Sequence, residues 1–224
     1  IIHLIAMSRR AGEHCAVSLE DFDTASRTVP VIANIRPSGD TYLMEDFYYA
    51  GGLGGMMTRL TDHLHLDAMT VSGVTLKETL KDAMVHNDDV IRPLSNPIYA
   101  EGALAVLRGN IAPGGCVIKP SACAPKFFKH TGRALVYDSY EALKKDTDNL
   151  ELDVTEDDIL ILRNYGPQGA GMPESGMLPI PTKLVKLGVK DMIRISDARM
   201  SGTSYGACIL HVSPEAAIGG PLAL

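Results

Sequence analysis

The second half of the chain consists of short apolar segments separated by glycine and proline residues, and this spacing restricts the folds available to it. Five apolar segments follow residue 96: "GALAVLRGN", "GGCVIKPSA", "GRALVYDS", "DDILILRNYG" and "KDMIRISD". Two segments of helical pattern, "SYEALKK" and "PTKLVKLG", lie between them. Short strands with Gly and Pro turns and few helices are typical of β-barrels and β-sandwiches. Residues 96–224 are therefore predicted to form a barrel or sandwich domain.

Residues 1–95 instead alternate helical patterns with extended ones. Residues 1–10 place their apolar side chains on one helical face, which ends at Gly12. A second helix is predicted to begin at Ser18, because Asp21 three residues later completes a capping-box pattern. The segment "TVPVIANIRPSG" predicts a buried strand that ends in a turn.

The glycine-rich segment "MEDFYYAGGLGGMMTRLTDHLHL" predicts two helices with a break from Gly51 to Gly55. Thr75 is predicted to cap a further helix after a short strand. This alternation favours a layered α/β domain over residues 1–95. The prolines of "VIRPLSNPIYAEG" indicate the domain boundary.

Composition narrows the class of function. Of the 224 residues, 46% are hydrophobic and 21% are charged, as in ordinary globular proteins, and no apolar run is long enough for a membrane helix. The net charge of -6 gives no electrostatic reason to expect binding to nucleic acid. A small-molecule partner is therefore expected.

The cysteines and the chain ends suggest the setting. Cys15, Cys116, Cys123 and Cys208 form no C-x-x-C pair and follow no signal-peptide pattern, which favours four reduced thiols in the cytoplasm. The chain opens without Met inside a helical pattern and stops at "GGPLAL", so we expect a fragment of a longer protein.

Several residue patterns could carry chemistry. Glu174 lies in the Gly/Pro-rich segment "GPQGAGMPESGMLPIP" after a strand, where it could bind a hard cation or be an exposed turn residue. His63 and His65 could bind a metal on a strand, but their local pattern is helical, where such residues diverge. The acidic stretch 146–158 is predicted to be a solvated surface.

The segment "GTSYG", residues 202–206, matches the nucleophile elbow of α/β-hydrolases around Ser204. That mechanism needs an acid and then a histidine further along the chain. No acidic residue separates Ser204 from His211, which also lies too close in sequence. The hydrolase interpretation is therefore disfavoured, and Ser204 is expected to support the turn or a helix start.

Separated motifs in a consistent order carry a resemblance to a known family. They are "PVIANIRPSGDTYLMEDFYYAGGL", "LRGNIAPGGCVIKPSA", "NYGPQGAGMPESGMLPIP", "RISDARMSGTSYG" and "HVSPEAAIGGPLAL". With the opening "IIHLIAMSRRAG" they cover nearly the whole chain, which resembles the dihydroxy-acid and sugar-acid dehydratases, a family that includes phosphogluconate dehydratase.

The resemblance implies a fold and an activity. It implies an α/β architecture in which an N-terminal layered α/β domain precedes a C-terminal β-barrel flanked by helices, with the active site between them in a homodimer or homotetramer. The implied enzyme is a hydro-lyase that removes water from a vicinal dihydroxy acid and yields a 2-keto-3-deoxy acid. The implied cofactors are Mg²⁺ and an iron–sulfur cluster, a [2Fe–2S] rather than a [4Fe–4S] cluster.

The resemblance also implies roles for individual residues. Ser201 matches the general base, Glu174 the carboxylate that binds Mg²⁺, and Thr203 a residue near the substrate. The cluster cysteines and the other Mg²⁺ ligands, including a modified lysine, are expected upstream of Ile1. None of the four cysteines present matches a cluster position, so the segment alone is expected to be inactive.

Within the family, "DARMSGT" resembles the arabinonate-type branch that acts on sugar acids. The branched-chain amino-acid enzyme usually shows Gly-Arg-Phe-Ser-Gly-Gly at this position. Two alternatives stay open: a dihydroxy-acid dehydratase of branched-chain amino-acid biosynthesis, and a non-catalytic binding or structural module.

Overall fold

The structure is a computed structural model that describes residues 1–173, 178–199 and 204–224. Its α-helices are α1 (Ile2–Ala11), α2 (Leu19–Thr28), α3 (Met44–Tyr49), α4 (Gly52–Arg59), α5 (Leu76–Thr79), α6 (Tyr140–Asp148), α7 (Pro167–Ala170) and α8 (Thr182–Lys186). Its strands are β1 (Ala105–Gly109), β2 (Ala112–Ile118), β3 (Ala134–Tyr137), β4 (Ile159–Leu162), β5 (Arg194–Ser196) and β6 (Cys208–Ser213).

The chain divides into two compact units. One unit contains Ile1–Asp23 and Leu104–Leu224, and the other contains Thr24–Ala103. Residues at the start of the chain thus belong to the same unit as its second half. The predicted division into domains 1–95 and 96–224 stays a prediction.

The first unit contains a six-stranded mixed sheet in the order β1-β2-β6-β5-β4-β3. Strands β1, β2 and β6 are antiparallel neighbours, whereas β6, β5, β4 and β3 run parallel to one another. The mixed α/β class is therefore confirmed, and closure into a barrel stays a prediction. Strand β6 lies outside the strands that the sequence predicts.

Strand β4 shows why the sheet is buried on both faces. Successive side chains of a strand point to opposite faces. Leu160 and Leu162 are fully buried in a core with side chains of α6 and α8, such as Leu143 and Leu184. Ile159 and Ile161 pack on the other face against a second core. Two apolar faces are typical of parallel strands that helices cover.

The connection from β3 to β4 runs through α6. Two parallel strands need such a crossover, and the predicted helix "SYEALKK" supplies it. Ser139 caps α6, because its hydroxyl accepts a hydrogen bond from the Ala142 N–H at 3.2 Å. The predicted segments for β1 to β5, α6 and α8 are confirmed.

The acidic stretch 146–158 differs from its prediction at one end. Asp158 is buried and accepts hydrogen bonds from Nε and Nη2 of Arg133 at 3.1 and 3.0 Å. These bonds lower the pKa of its carboxyl group. Of the remaining acidic residues of the stretch, Asp146 is half-buried and the others are exposed, as predicted. Asp158 was missed because a sequence pattern does not show that Arg133 lies beside it.

The two N-terminal helix predictions are confirmed. Helix α1 ends at Gly12, whose φ of 121° is a conformation that suits glycine. At the start of α2 the Ser18 N–H donates to the Asp21 carboxylate at 2.8 Å, and the Asp21 N–H donates to the Ser18 hydroxyl at 3.3 Å. This is the reciprocal pair of a capping box.

In the second unit the predicted strand near residue 32 is wrong. Its residues form isolated bridges: Val31 with Tyr99, Ala33 with Ile91, and Ile35 with Tyr42. Three different partner segments cannot make one ladder, so the segment is extended and partly buried without being a strand. The burial was predicted from its apolar residues, but the partners are distant in sequence.

The helix break in this unit is narrower than predicted. Gly51 adopts a φ of 121°, and α4 begins at the next residue, so Gly52–Gly55 are helical. A Cβ atom at Gly51 would collide with the carbonyl oxygen of Met84. Glycine is therefore required at this turn. As predicted, Thr75 caps a helix, because its hydroxyl accepts from the Glu78 N–H at 3.2 Å.

A buried cation links segments of the first unit. Arg194 is fully buried and pairs with Asp191 at 3.5 Å. The nitrogen of this pair, Nη2, also donates to the Tyr205 carbonyl oxygen at 2.8 Å. Nη1 donates to the Leu178 carbonyl oxygen at 2.9 Å, and Nε to that of Met192 at 3.3 Å. The Asp191 carboxylate also accepts from the N–H groups of two other segments, at Ala124 and Ala207. Burying this charge is tolerated because its donors have acceptors.

Replacement of Arg194 by Leu should lower the free energy of unfolding by about 3 kcal/mol, because it leaves a buried carboxylate without its cation and three carbonyl groups without this donor. Chemical denaturation of the variant measures this loss.

Lys144→Met is the matched control, since the pair between Lys144 and Asp148 is exposed and contributes little. Equal stability losses in the two variants would show that the Arg194 pair has no special structural role.

Candidate functional site

The predicted site residues lie in two segments outside the described residues. Glu174 lies between Pro173 and Leu178, and Ser201 and Thr203 lie between Arg199 and Ser204. The residues that flank both segments are described.

Asp197 lies directly after β5 and is almost fully buried. Its carboxylate accepts three backbone hydrogen bonds: from Asn164 at 3.1 Å, from Tyr165 at 2.9 Å and from Ala216 at 3.0 Å. Asn164 and Tyr165 follow β4, which runs parallel to β5, so both strands end at the same edge of the sheet. Asp197 fixes the loops that begin there.

Glu215, two residues after β6, also holds a loop by accepting backbone hydrogen bonds. Its buried carboxylate accepts from the N–H groups of Gln168 at 2.8 Å and Gly169 at 3.1 Å, which lie in α7. Gly166 lies against this carboxylate so closely that a Cβ atom there would collide with it. The loop that leads to Glu174 is thereby held against the end of β6.

Asp197 and Glu215 line one open cavity of about 490 Å³, which we name the Asp197 cavity. Met172 and His211 also line it. Met172 lies two residues before Glu174, and Asp197 lies four residues before Ser201. A residue shortly before each undescribed segment therefore lines the same cavity.

The described residues that follow the two segments are also linked to each other. Leu178 and Tyr205 follow the segments of Glu174 and Ser201, and their carbonyl oxygens both accept from Arg194. Lys119 adds a third link, since its ammonium group donates to the Ser204 carbonyl oxygen at 2.5 Å. Burial lowers the pKa of Lys119.

Backbone strain concentrates around this cavity. Among the described residues, the non-glycine residues with positive φ are Asn164, Met172 and His211. Two of them line the cavity, and the third donates to Asp197, which also lines it. Strained backbone of this kind is found mainly at functional sites, where the surrounding structure enforces it.

His211 lies in a β-bulge. Leu210 pairs with Val117 and Ser213 pairs with Gly115, so β6 has one residue more than β2 over this interval. His211 adopts a φ of 57°, and its N–H donates to the Ala198 carbonyl oxygen at 3.1 Å. A bulge of this kind redirects a side chain. Here the redirected side chain lines the cavity.

The His211 imidazole is an unpaired polar group in the described structure. Its Nδ1 is buried and has no hydrogen-bond partner among the residues described, and the same holds for Nε of Arg199. Burial, together with the positive charge of Arg199, lowers the pKa of His211. The ring is therefore neutral at neutral pH.

The nucleophile-elbow interpretation of "GTSYG" fails on its structural context. An elbow needs a helix after the serine, but Ser204 and Gly206 lead into strand β6. Ser204 is buried, and no helix begins at it, so the alternative of a helix start is wrong. The expectation that it supports the turn agrees with the bond from Lys119 to its carbonyl oxygen.

The cysteines do not form a cluster site in the described part of the chain. Cys116, Cys123 and Cys208 are buried, whereas Cys15 is exposed. Burial raises the pKa of the three buried thiols, that of Cys123 to about 11, and thiolates are the form that binds metal. Across residues 1–173, 178–199 and 204–224, no three His, Cys, Asp or Glu side chains group closely enough to hold a metal ion.

Sequence reasoning missed Asp197, Glu215 and His211. All three occur in the motifs "RISDARMSGTSYG" and "HVSPEAAIGGPLAL", but no spacing rule singles them out. An acidic residue directly after a buried strand was the available signal for Asp197.

Among the described residues, no helix combines the length and apolar character needed to cross a membrane.

Comparisons with known proteins agree with this arrangement of motifs. The N-terminal model of the dihydroxy-acid/6-phosphogluconate dehydratases matches residues 1–79, and the C-terminal model matches residues 89–224. The two matches follow one another along the chain in the order that the family's domain names imply.

Individual relatives match over the full chain. It is 52% identical over 227 residues to a 6-deoxy-6-sulfo-D-gluconate dehydratase of Pseudomonas putida. It is 48% identical to an L-arabinonate dehydratase of Rhizobium leguminosarum bv. trifolii and 40% identical to a dihydroxy-acid dehydratase of Methanoregula boonei. All of this chain is covered, but only 39%, 39% and 40% of these relatives. On the two family models and these identities, the chain belongs to the dihydroxy-acid/6-phosphogluconate dehydratase family.

Proposed function

We propose that this chain is the part of a sugar-acid dehydratase that carries the general base and one metal-binding carboxylate. The complete enzyme removes water from an aldonate and yields a 2-keto-3-deoxy acid. In this proposal Ser201 is the base, Glu174 binds Mg²⁺ and Thr203 contacts the substrate.

One observation carries the proposal: described residues before the segments of Glu174 and Ser201 line one cavity, and described residues after them share one buried cation. Met172 and Asp197 line the same cavity, and Leu178 and Tyr205 share the Arg194 guanidinium. The two segments are short, and their neighbouring residues share a cavity on one side and the Arg194 guanidinium on the other. This supports a common site for Glu174 and Ser201. A volume of about 490 Å³ is within the usual range for a small-molecule site.

The reaction requires a base at C2 of the substrate. Ser201 takes the C2 proton, the C3–O bond breaks and its electrons leave with the hydroxyl group, and the resulting enol tautomerises to the 2-keto acid. Serine is a weak base, so its alkoxide needs nearby positive charge or backbone N–H donors. Gly202 has no Cβ atom and allows close approach of the backbone.

Glu174 is the metal-binding residue of the proposal. A carboxylate oxygen is a preferred ligand of Mg²⁺. The buried carboxylates of Asp197 and Glu215 already accept backbone hydrogen bonds, so they fit structural roles better than metal binding. When bound, Mg²⁺ would polarise the substrate carboxylate and 2-hydroxyl group and so acidify the C2 proton.

The described cysteines do not fit an iron–sulfur cluster, since three of them are buried thiols with raised pKa and no three ligands group together. We therefore derive no step through a cluster. Because the chain spans about two fifths of its relatives, we propose that the cluster ligands and the acid that assists the leaving hydroxyl belong to the remainder of the protein.

The identities favour a sugar acid as substrate. The relatives named for sulfogluconate and arabinonate are 52% and 48% identical, against 40% for the dihydroxy-acid dehydratase. Dehydration of a branched-chain dihydroxy acid is the second candidate, supported by that 40% relative. The two candidate reactions share the chemistry at C2 and C3, and their substrates differ in the remaining carbon atoms.

Ser201→Ala in the complete enzyme should lower kcat by roughly 10²- to 10⁴-fold, because a general base contributes about this much. Steady-state turnover of an aldonate measures the loss, and the visible absorbance of the cluster shows whether the cofactor is intact. Ser204→Ala is the matched control and should lose less than about tenfold, the value of one hydrogen bond. Turnover near that of the wild type in Ser201→Ala would exclude its role.

Glu174→Gln keeps the shape of the side chain and removes its charge. The Mg²⁺ concentration for half-maximal activity should rise by about tenfold or more, because a charged ligand is lost, and excess Mg²⁺ should restore turnover. Glu151→Gln, at an exposed position, should leave the Mg²⁺ requirement unchanged. An unchanged requirement in Glu174→Gln would remove it from the metal site.

The substrate proposal predicts that kcat/KM for an arabinonate-type aldonate exceeds that for 2,3-dihydroxyisovalerate by about 10²-fold or more, because a site that hydrogen-bonds hydroxyl groups rejects an analogue without them. Coupled assays of the 2-keto acid products measure both values. The reverse ratio would favour the branched-chain alternative, and turnover of neither acid would favour a non-catalytic module.

A further inference from the structure

We propose that His211 binds the substrate, its Nδ1 forming a hydrogen bond with a hydroxyl group of the dihydroxy acid in the Asp197 cavity. This inference rests on the proposed function. It assigns a substrate-binding role to a residue ten positions beyond the base.

The backbone directs this side chain into the cavity. His211 is the residue with a φ of 57° in the bulge of β6, opposite the interval Gly115 to Val117 of β2. Without the bulge, the regular alternation of side chains along the strand would point the His211 side chain in a different direction. Its N–H donates to the Ala198 carbonyl oxygen, which joins it to the segment that leads to Ser201.

The hydrogen-bonding groups of the cavity divide into satisfied and unsatisfied ones. The Asp197 and Glu215 carboxylates accept five backbone hydrogen bonds between them, and these hold the walls. Nδ1 of His211 is buried and has no partner among the described residues. Buried polar atoms are nearly always paired, so an unpaired one in a cavity indicates a ligand or an ordered water.

The electrostatics suit a hydroxyl group beside an anionic acid. The imidazole is neutral because burial and the positive charge of Arg199 lower its pKa. A hydroxyl group can both donate and accept, so it matches either tautomer of the ring. Arg199 supplies positive charge near His211, has a buried unpaired Nε, and forms no ion pair among the described residues. The positive charge of Arg199 would therefore favour a substrate carboxylate bound near His211.

A purely structural role for His211 makes a different prediction. A structural histidine needs a protein partner for its buried nitrogen, and replacing it by an apolar ring would then leave that partner unsatisfied. Here the described structure shows no such partner for Nδ1. Phe should accordingly replace the ring with little loss of stability.

The test uses the complete enzyme with its cofactors and an aldonate substrate. His211→Phe should raise KM by about tenfold or more and change kcat by less than about threefold, because a contact made equally in ground and transition states affects KM. His211→Asn is the matched control. Asn keeps a polar atom near the position of Nδ1 and tolerates positive φ, so its KM should stay within about threefold of wild type.

Equilibrium binding gives an independent readout. In the Ser201→Ala background, calorimetry should show the same tenfold loss of aldonate affinity when His211→Phe is added. His211→Gln, whose amide group lies beyond the Nδ1 position, should also lose affinity, and it replaces the Phe variant if that protein does not fold.

The outcomes separate this inference from the proposed function. If the wild type neither binds nor dehydrates an aldonate or dihydroxy acid, the proposed function is wrong. If the wild type is active and the Phe and Gln variants keep wild-type KM and affinity, only the role of His211 is wrong. A fall in kcat and stability at unchanged KM, not restored by Asn, would show a structural role instead.

Discussion

The buried guanidinium of Arg194 is the interaction on which the candidate site depends. It is fully buried, and it joins Asp191 to the carbonyl oxygens of Leu178 and Tyr205. A charge in this position is costly unless its donors have acceptors, so the pair and its carbonyl partners must form together. The residues after both undescribed segments are thereby held at one place, which loop residues alone would not achieve.

The ends of the parallel strands show a consistent arrangement. Asp191 precedes β5 and Asp197 follows it, and Glu215 follows β6; each carboxylate accepts backbone N–H groups from neighbouring loops. Carboxylates used in this way act as structural acceptors. These contacts hold the walls of the cavity, and they leave Nδ1 of His211 without a partner among the described residues, which is the observation behind its proposed role.

Local sequence patterns predicted the elements whose causes are local. The capping box of Ser18 and Asp21, the cap at Thr75, the helix end at Gly12 and the strands up to β5 all follow from neighbouring residues. The predictions failed where the partner is distant. The segment around Ala33 bridges to Tyr99, Ile91 and Tyr42 and forms no strand, and Asp158 is buried because Arg133 lies beside it.

The sequence by itself determined the α/β class, most of the helices and strands, the family and the candidate residues Glu174, Ser201 and Thr203. The class, the helices and the strands follow from periodicity and turn residues, which act over a few residues, whereas the family and the candidate residues are implied by motifs that resemble those of the dehydratases. Only the tertiary structure decided the strand order, the common cavity of Met172 and Asp197, and the bulge that carries His211. Those features depend on contacts between residues far apart along the chain, and no local pattern encodes which distant groups will share a buried charge.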